Sequence, residues 1–110
     1  DNQRFDAIVL DPPALIKRKK DFKTGFEAYR RLNQMALQVL NVGGMLVSAS
    51  CSHHLSRENL HEILRASSRH VDRDLLIVAT GGQGPDHPVH PALPETDYLK
   101  TFFCSVSARI

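Results

Sequence analysis

Residues 5–13 read Phe5-Asp6-Ala7-Ile8-Val9-Leu10-Asp11-Pro12-Pro13. The first six, apolar except for Asp6, form a short strand with too little polarity for a solvated face, which predicts a central, parallel strand. It stops at Asp11-Pro12-Pro13, because proline lacks the ladder donor and restricts the residue before it. Forty positions further on (51 minus 11), a second apolar run at 45–49 ends at Ser50-Cys51-Ser52. One helix-length segment separates the two runs. Both motifs therefore fall at the carboxyl ends of neighbouring parallel strands, where open α/β sheets bind their ligands.

Outward from this pair the periodicity fills in the remaining elements. Over 26–40, Phe26, Tyr29, Leu32, Ala36, Val39 and Leu40 follow helical spacing, with Arg30, Arg31, Gln34 and Gln38 opposite. Asn41-Val42-Gly43-Gly44 is the expected helix end. A second helix is predicted from the N-cap Ser56 to about residue 70, turning Leu60, Ile63, Leu64, Ser67 and Val71 inward. A third strand follows at 75–79. The stretch 81–96 carries four of the six prolines and reads as an irregular loop. A last strand at 98–106, with no helix before it, is expected to be antiparallel. The order β-α-β-α-β-β makes this an α/β chain resembling the C-terminal half of a Rossmann-like sheet. That architecture alone decides little about activity.

At 110 residues the chain holds one domain or part of one. With 42% hydrophobic and 24% charged residues it is not a disordered composition. No apolar run is long enough to span a membrane. The formal charge of +2 is too small to argue for nucleic acid, but Lys17, Arg18, Lys19, Lys20 and Lys23 crowd into seven positions. Cys51 and Cys104 lie on different predicted strands and fit no disulfide framework, a usage matching a reducing cytoplasm. No glycine-rich strand-to-helix turn is visible and the first residue is not methionine. Residues 1–110 are therefore expected to be the second half of a larger α/β domain.

Asp11 is held by two prolines at the tip of a strand, so it has few rotational options and is aimed at a ligand. It can accept from an amino group or carry a proton to a ring nitrogen, although a turn-initiating aspartate is the simpler alternative. Cys51 sits at a strand-to-helix junction between two serines, where local dipoles favour a thiolate, whereas a buried cysteine is commonly inert. Cys104 lies in an apolar run and is assigned to packing. His53 and His54 neighbour Cys51, but no metal-ligand spacing is present, so no metal is expected. The loop Lys17, Arg18, Lys19, Lys20 is placed to bind phosphates flanking a base, against the alternative of a solvated surface. Phe22 is a possible stacking platform for a base.

These motifs resemble a known family. Phe-Asp-x-Ile-Val-x-Asp-Pro-Pro at 5–13 and Gly-Gly-x-Leu-x-x-x-Ser-Cys-Ser at 43–52 are similar to the RlmI-like class I S-adenosylmethionine-dependent methyltransferases of large-subunit ribosomal RNA. Asp86-His87-Pro88, Pro94-Glu95 and Tyr98-Leu99-Lys100 match the same family, so the likeness runs through essentially the whole chain. The resemblance implies methylation of carbon 5 of a cytosine in 23S rRNA, with S-adenosylmethionine as donor. It implies Cys51 as nucleophile and Asp11 as the base-contacting acid group. Asp11 and Pro12 would border the donor, and Pro12, Pro13, Lys17, Arg18, Lys19 and Lys20 the RNA. Lys100 and His87 are candidates for supporting roles. Ala14 departs from the lysine that many relatives carry after Asp-Pro-Pro.

Two other readings follow from the same residues. One is direct methylation of an exocyclic amino group or guanine, using Asp11-Pro12-Pro13 without Cys51. The other is a non-catalytic RNA-binding module using the basic loop. The isolated chain is expected to be inactive and to self-associate through an open sheet edge.

Overall fold

The computed structural model describes residues 3–83, 90–92 and 99–108. Strand β1 (Phe5–Leu10) is followed by a 3-10 turn at Lys19–Asp21 and helix α1 (Phe22–Val39). Then come β2 (Leu40–Ser50), α2 (Arg57–His70), β3 (Arg73–Gly81) and β4 (Lys100–Ala108). The four strands form one sheet in the order β1-β2-β4-β3. β1 runs parallel to β2, and β4 runs antiparallel to both β2 and β3. The closing strand is thus antiparallel, as its missing helix predicts. It also slots between β2 and β3, which periodicity does not reveal.

The pairing sorts side chains into two faces. Ile8, Leu46, Cys104 and Ile77 form one row across the sheet, and both helices cover it. Leu37 and Leu40 at the α1 end and Leu60, Ile63 and Leu64 of α2 complete the core there, all at 2% exposure or less. The opposite face carries the rows Ala7-Met45-Ser105-Leu76 and Val9-Val47-Phe103-Ala79. No described element covers it. Val9 is 72% exposed and Leu76 67%.

β1 therefore departs from the expectation of a central strand. Among the described residues it stands at the sheet edge, and its burial runs from exposed to intermediate. Its apolarity records what the strand is built to touch, and among the described residues only one flank and one face find partners.

Helix α1 starts one turn earlier than its spacing predicts, because Phe22 and Phe26 pair at i, i+4 with ring centroids 5.7 Å apart and extend the apolar face. Its end also differs. Val39 closes the helix and Leu40 is already extended, so Gly43-Gly44 is not the cap. Instead the ladder jumps from Phe5↔Leu40 to Ala7↔Met45, and Gly43 takes φ +90 within the bulge. That left-handed conformation favours glycine. At the other end of α1, Gly25 lets the helix press against the loop after the prolines. A Cβ there would lie 2.2 Å from Ile16 Cγ1 and 2.9 Å from the Leu15 carbonyl.

Helix α2 follows its sequence signals closely. The Ser56 side chain accepts from the Asn59 amide, and the Asn59 side chain accepts from the Ser56 amide, closing a capping box. Strand β3 extends two residues beyond each end of the predicted 75–79.

Candidate active site at the carboxyl edge of the sheet

Leu10 pairs with Ser48 in the parallel ladder. Asp11 therefore emerges level with Ala49, and Cys51 two residues further, about 7 Å along the strand at roughly 3.3 Å per residue. The structure thus brings the two motifs to the same edge of the sheet. Asp11 is exposed, and among the described residues its carboxylate has neither hydrogen bond nor ion pair. It is available to an amino group or ring nitrogen of a ligand, the feature a methyl-donor or base site would use. Pro12 is half-buried and Pro13 exposed, flanking that carboxylate. Cys51 is a half-buried free thiol.

The backbone around Cys51 is fixed by a buried polar cluster. Ser50 and Ser52 are both fully buried. The Ser50 hydroxyl donates to the Tyr29 hydroxyl at 3.0 Å, and the Tyr29 and Ser52 hydroxyls lie 2.6 Å apart. The Ser52 amide donates back to Ser50 Oγ at 3.2 Å. From the other motif loop, the Leu15 amide donates to Tyr29 Oη and the Ile16 amide to Ser52 Oγ, both at 3.3 Å. Lys100, opposite Ser50 in the β2–β4 ladder, donates its ammonium to the Ser52 carbonyl at 2.5 Å. One turn along α1, Asn33 donates to the Tyr29 carbonyl and accepts from the Ser48 hydroxyl at 2.6 Å.

Periodicity assigns Tyr29 to apolar packing and gives Asn33, Ser48, Ser50 and Ser52 no role. The available signal is the alternation Ser48-x-Ser50-x-Ser52, which puts three hydroxyls on the helix-covered face of a strand that is otherwise apolar. Buried hydroxyls require partners, so this spacing points to polar groups on the facing helix.

Lys17, Arg18, Lys19 and Lys20 are all exposed beside the Asp-Pro-Pro turn. With Pro13, Ala14, Leu15, Asp21, Gly25 and others, Lys17 and Arg18 border an open basin of about 1050 Å³. Arg18 is not a free cation, because its guanidinium pairs with Asp21 at 2.9 Å. Phe22 is half-buried against the core and pairs with Phe26. A smaller cleft of about 270 Å³, lined by His61, Arg65, Arg69 and Arg73 among others, lies where α2 ends and β3 begins. β3 runs parallel to β2, so that cleft is at the opposite end of the sheet from the motifs.

Cys104 is fully buried, and burial pushes its thiol up to about 11, consistent with the packing role expected of it. Among the described residues no three His, Cys, Asp or Glu side chains gather as metal ligands. No described helix is long and apolar enough to cross a membrane. His87, with Asp86-His87-Pro88, Pro94-Glu95 and Tyr98, lies outside the described residues.

No protein-family model matches the chain. Curated proteins do. The chain is 34% identical over 106 residues to the ribosomal RNA large subunit methyltransferase I of Erwinia tasmaniensis, covering 96% of the chain and 27% of that protein. To the protein of the same name from Serratia proteamaculans it is 36% identical, covering 94% of the chain and 26% of the relative. The chain is thus homologous, over nearly its whole length, to a segment of these proteins, and it spans about a quarter of their length. Among solved structures, the SMU.776 protein complexed with SAH superposes with a TM-score of 0.76 at 18% identity, covering 93% of the chain and 26% of that structure. A methyltransferase homolog protein from Pyrococcus horikoshii superposes at 0.66 and 23% identity, covering 99% and 40%. The fold is that of a Rossmann-like class I methyltransferase sheet.

Proposed function

We propose that residues 1–110 form the C-terminal part of the catalytic domain of an S-adenosylmethionine-dependent ribosomal RNA methyltransferase that modifies cytosine at carbon 5. The observation carrying this reading is the placement of Asp11 and Cys51 on adjacent strand ends, in a chain homologous to a segment of enzymes named as rRNA methyltransferases. S-adenosylmethionine supplies, when bound, a methyl group on a sulfonium and therefore electrophilic. Asp11 and Pro12 border it, and a part of the protein outside these residues makes its other contacts.

Carbon 5 of cytosine is too weak a nucleophile to take that methyl unaided. Cys51 adds through Sγ to carbon 6, and its thiol proton passes by way of the Asp11 carboxylate to N3 as the ring π electrons shift there. Carbon 5 then bonds the methyl carbon as the methyl–sulfonium bond breaks. A general base removes the carbon 5 proton, the C5–C6 double bond re-forms, and Cys51 leaves as thiolate. N3 returns its proton to Asp11. Lys17, Lys19 and Lys20 attract the flanking phosphates, with Arg18 joining when Asp21 releases it.

A reducing cytoplasm suits this chemistry, because a catalytic thiol must stay reduced, and both cysteines are free. The test uses the full-length protein, S-adenosylmethionine and unmodified ribosomal RNA, with the product nucleoside identified by mass spectrometry. 5-Methylcytosine that disappears in Cys51→Ala supports the covalent route. Another methylated base, or product that persists without Cys51, replaces it with direct transfer centred on Asp11. Loss of RNA binding on lysine charge reversal, with no methyl transfer by the wild type, leaves only an RNA-binding module.

A further inference from the structure

We infer that Tyr29 and Lys100 are positioning residues that hold the Cys51 turn in register with the Asp-Pro-Pro loop. The inference rests on the assignment of Cys51 and Asp11 proposed above.

Counting protons and lone pairs orders the cluster. The Leu15, Ile16 and Ser52 amides can only donate. Ser50 Oγ accepts from the Ser52 amide and donates to Tyr29. Tyr29 Oη accepts from Leu15 and Ser50, so its single proton goes to Ser52 Oγ. Ser52 Oγ then accepts from Tyr29 and Ile16. The phenol uses its donor and both lone pairs, at 0% exposure. It has no capacity left for substrate and cannot be the base that takes the carbon 5 proton.

What the phenol does is join two loops. One ends four and five residues after Asp11, the other flanks Cys51 on both sides. They leave different strands, and the same two oxygens bind both, so displacement of either loop breaks bonds to the other. Lys100 adds a third strand to the assembly. Its ammonium, on a residue only 3% exposed, donates to the carbonyl of the residue after Cys51. Burying a lysine head is costly, and an apolar side chain would fill the space without that cost. The bond that Lys100 makes to the Ser52 carbonyl ties β4 to this turn. Displacements of about 1 Å in a reacting group cost about a hundredfold in rate, which is the scale such a clamp has to protect.

The experiment uses the full-length protein with Tyr29→Phe, Lys100→Met and Lys100→Arg, and Cys51→Ala as control. It reads kcat and KM for the methyl donor, and the rate of Cys51 alkylation by iodoacetamide per folded molecule, from peptide mass spectrometry. Tyr29→Phe and Lys100→Met are expected to lower kcat about ten- to a hundredfold. The donor KM should move less than kcat, as the cluster holds the Asp11 loop only at Leu15 and Ile16, four and five residues beyond the carboxylate. Cys51 alkylation should change by about threefold or more while buried Cys104 stays protected. Lys100→Arg, which can still donate to the Ser52 carbonyl, should recover most of the loss. The inference is overturned if kcat per folded molecule is unchanged in both variants while Cys51→Ala is inactive. It is equally overturned if activity falls only with the folded fraction and alkylation does not move. If Cys51→Ala remains fully active, the covalent assignment fails instead, and an unchanged alkylation rate would then still overturn the clamp.

Discussion

Gly25→Ala pits a helix preference against a close approach, and the structure decides which wins. In an exposed helix interior alanine is favoured over glycine by about 1 kcal/mol. At position 25 the new Cβ would sit 2.2 Å from Ile16 Cγ1 and 2.9 Å from the Leu15 carbonyl oxygen. Ile16 is 2% exposed and part of the core, so its side chain cannot swing into solvent. The carbonyl belongs to the backbone, so it moves only if the loop does. Overpacking of this kind costs about 1–3 kcal/mol, and with two contacts under 3.0 Å the upper end applies. Net of propensity, the domain should lose about 2 kcal/mol, a fall in Tm of roughly 8 °C. Urea unfolding monitored by circular dichroism measures it directly. The displaced residues, Leu15 and Ile16, also carry the amides that bind Tyr29 and Ser52, so methylation should fall by more than the folded fraction. A variant as stable as the wild type, or more so, would refute the reasoning, because the loop would then not rest on α1 as closely as Gly25 implies.

Reversing charge at Lys17, Lys19 and Lys20 together should weaken RNA binding and flatten its salt dependence by about 2 in log–log slope for a single strand, read by filter binding across salt concentrations. An unchanged slope would remove these lysines from the RNA path. Burial raises the Cys104 thiol to about 11, so its neutral form adds stability that is intact below the unfolded value near 9 and is lost as pH rises toward 11. Unfolding midpoints for wild type and Cys104→Ala should therefore converge across that window, and parallel curves would contradict the burial argument. Residues 1–110 expressed alone should self-associate through the bare sheet face and the β1 edge, and Val9→Lys with Leu76→Lys should shift sedimentation toward monomer. A wild-type monomer at high concentration would count against this.

Much of the fold was legible because its signals are local. The apolar run at 5–10 and the Ser56 cap are each readable from a few consecutive residues, since backbone pairing and capping are satisfied within a strand or a turn. The β-α-β spacing also placed Asp11 and Cys51 at one edge, because parallel strands with a crossover helix leave no other arrangement for their carboxyl ends. Periodicity was ambiguous where one pattern suits two structures. Gly43-Gly44 reads equally as a helix cap or as the bulge it forms, because both need a left-handed φ.

By itself, then, the sequence determined the elements, their direction and the two motifs that meet at the sheet edge. Only the tertiary structure decided that β4 enters between β2 and β3, that β1 stands at the edge, and that Tyr29, Ser52 and Lys100 join the motif loops. Those are contacts between groups 23 and 48 residues apart in the chain. A hydroxyl or an ammonium carries no periodic mark of its partner, so which polar groups meet is settled only when the core closes and each buried donor must find an acceptor.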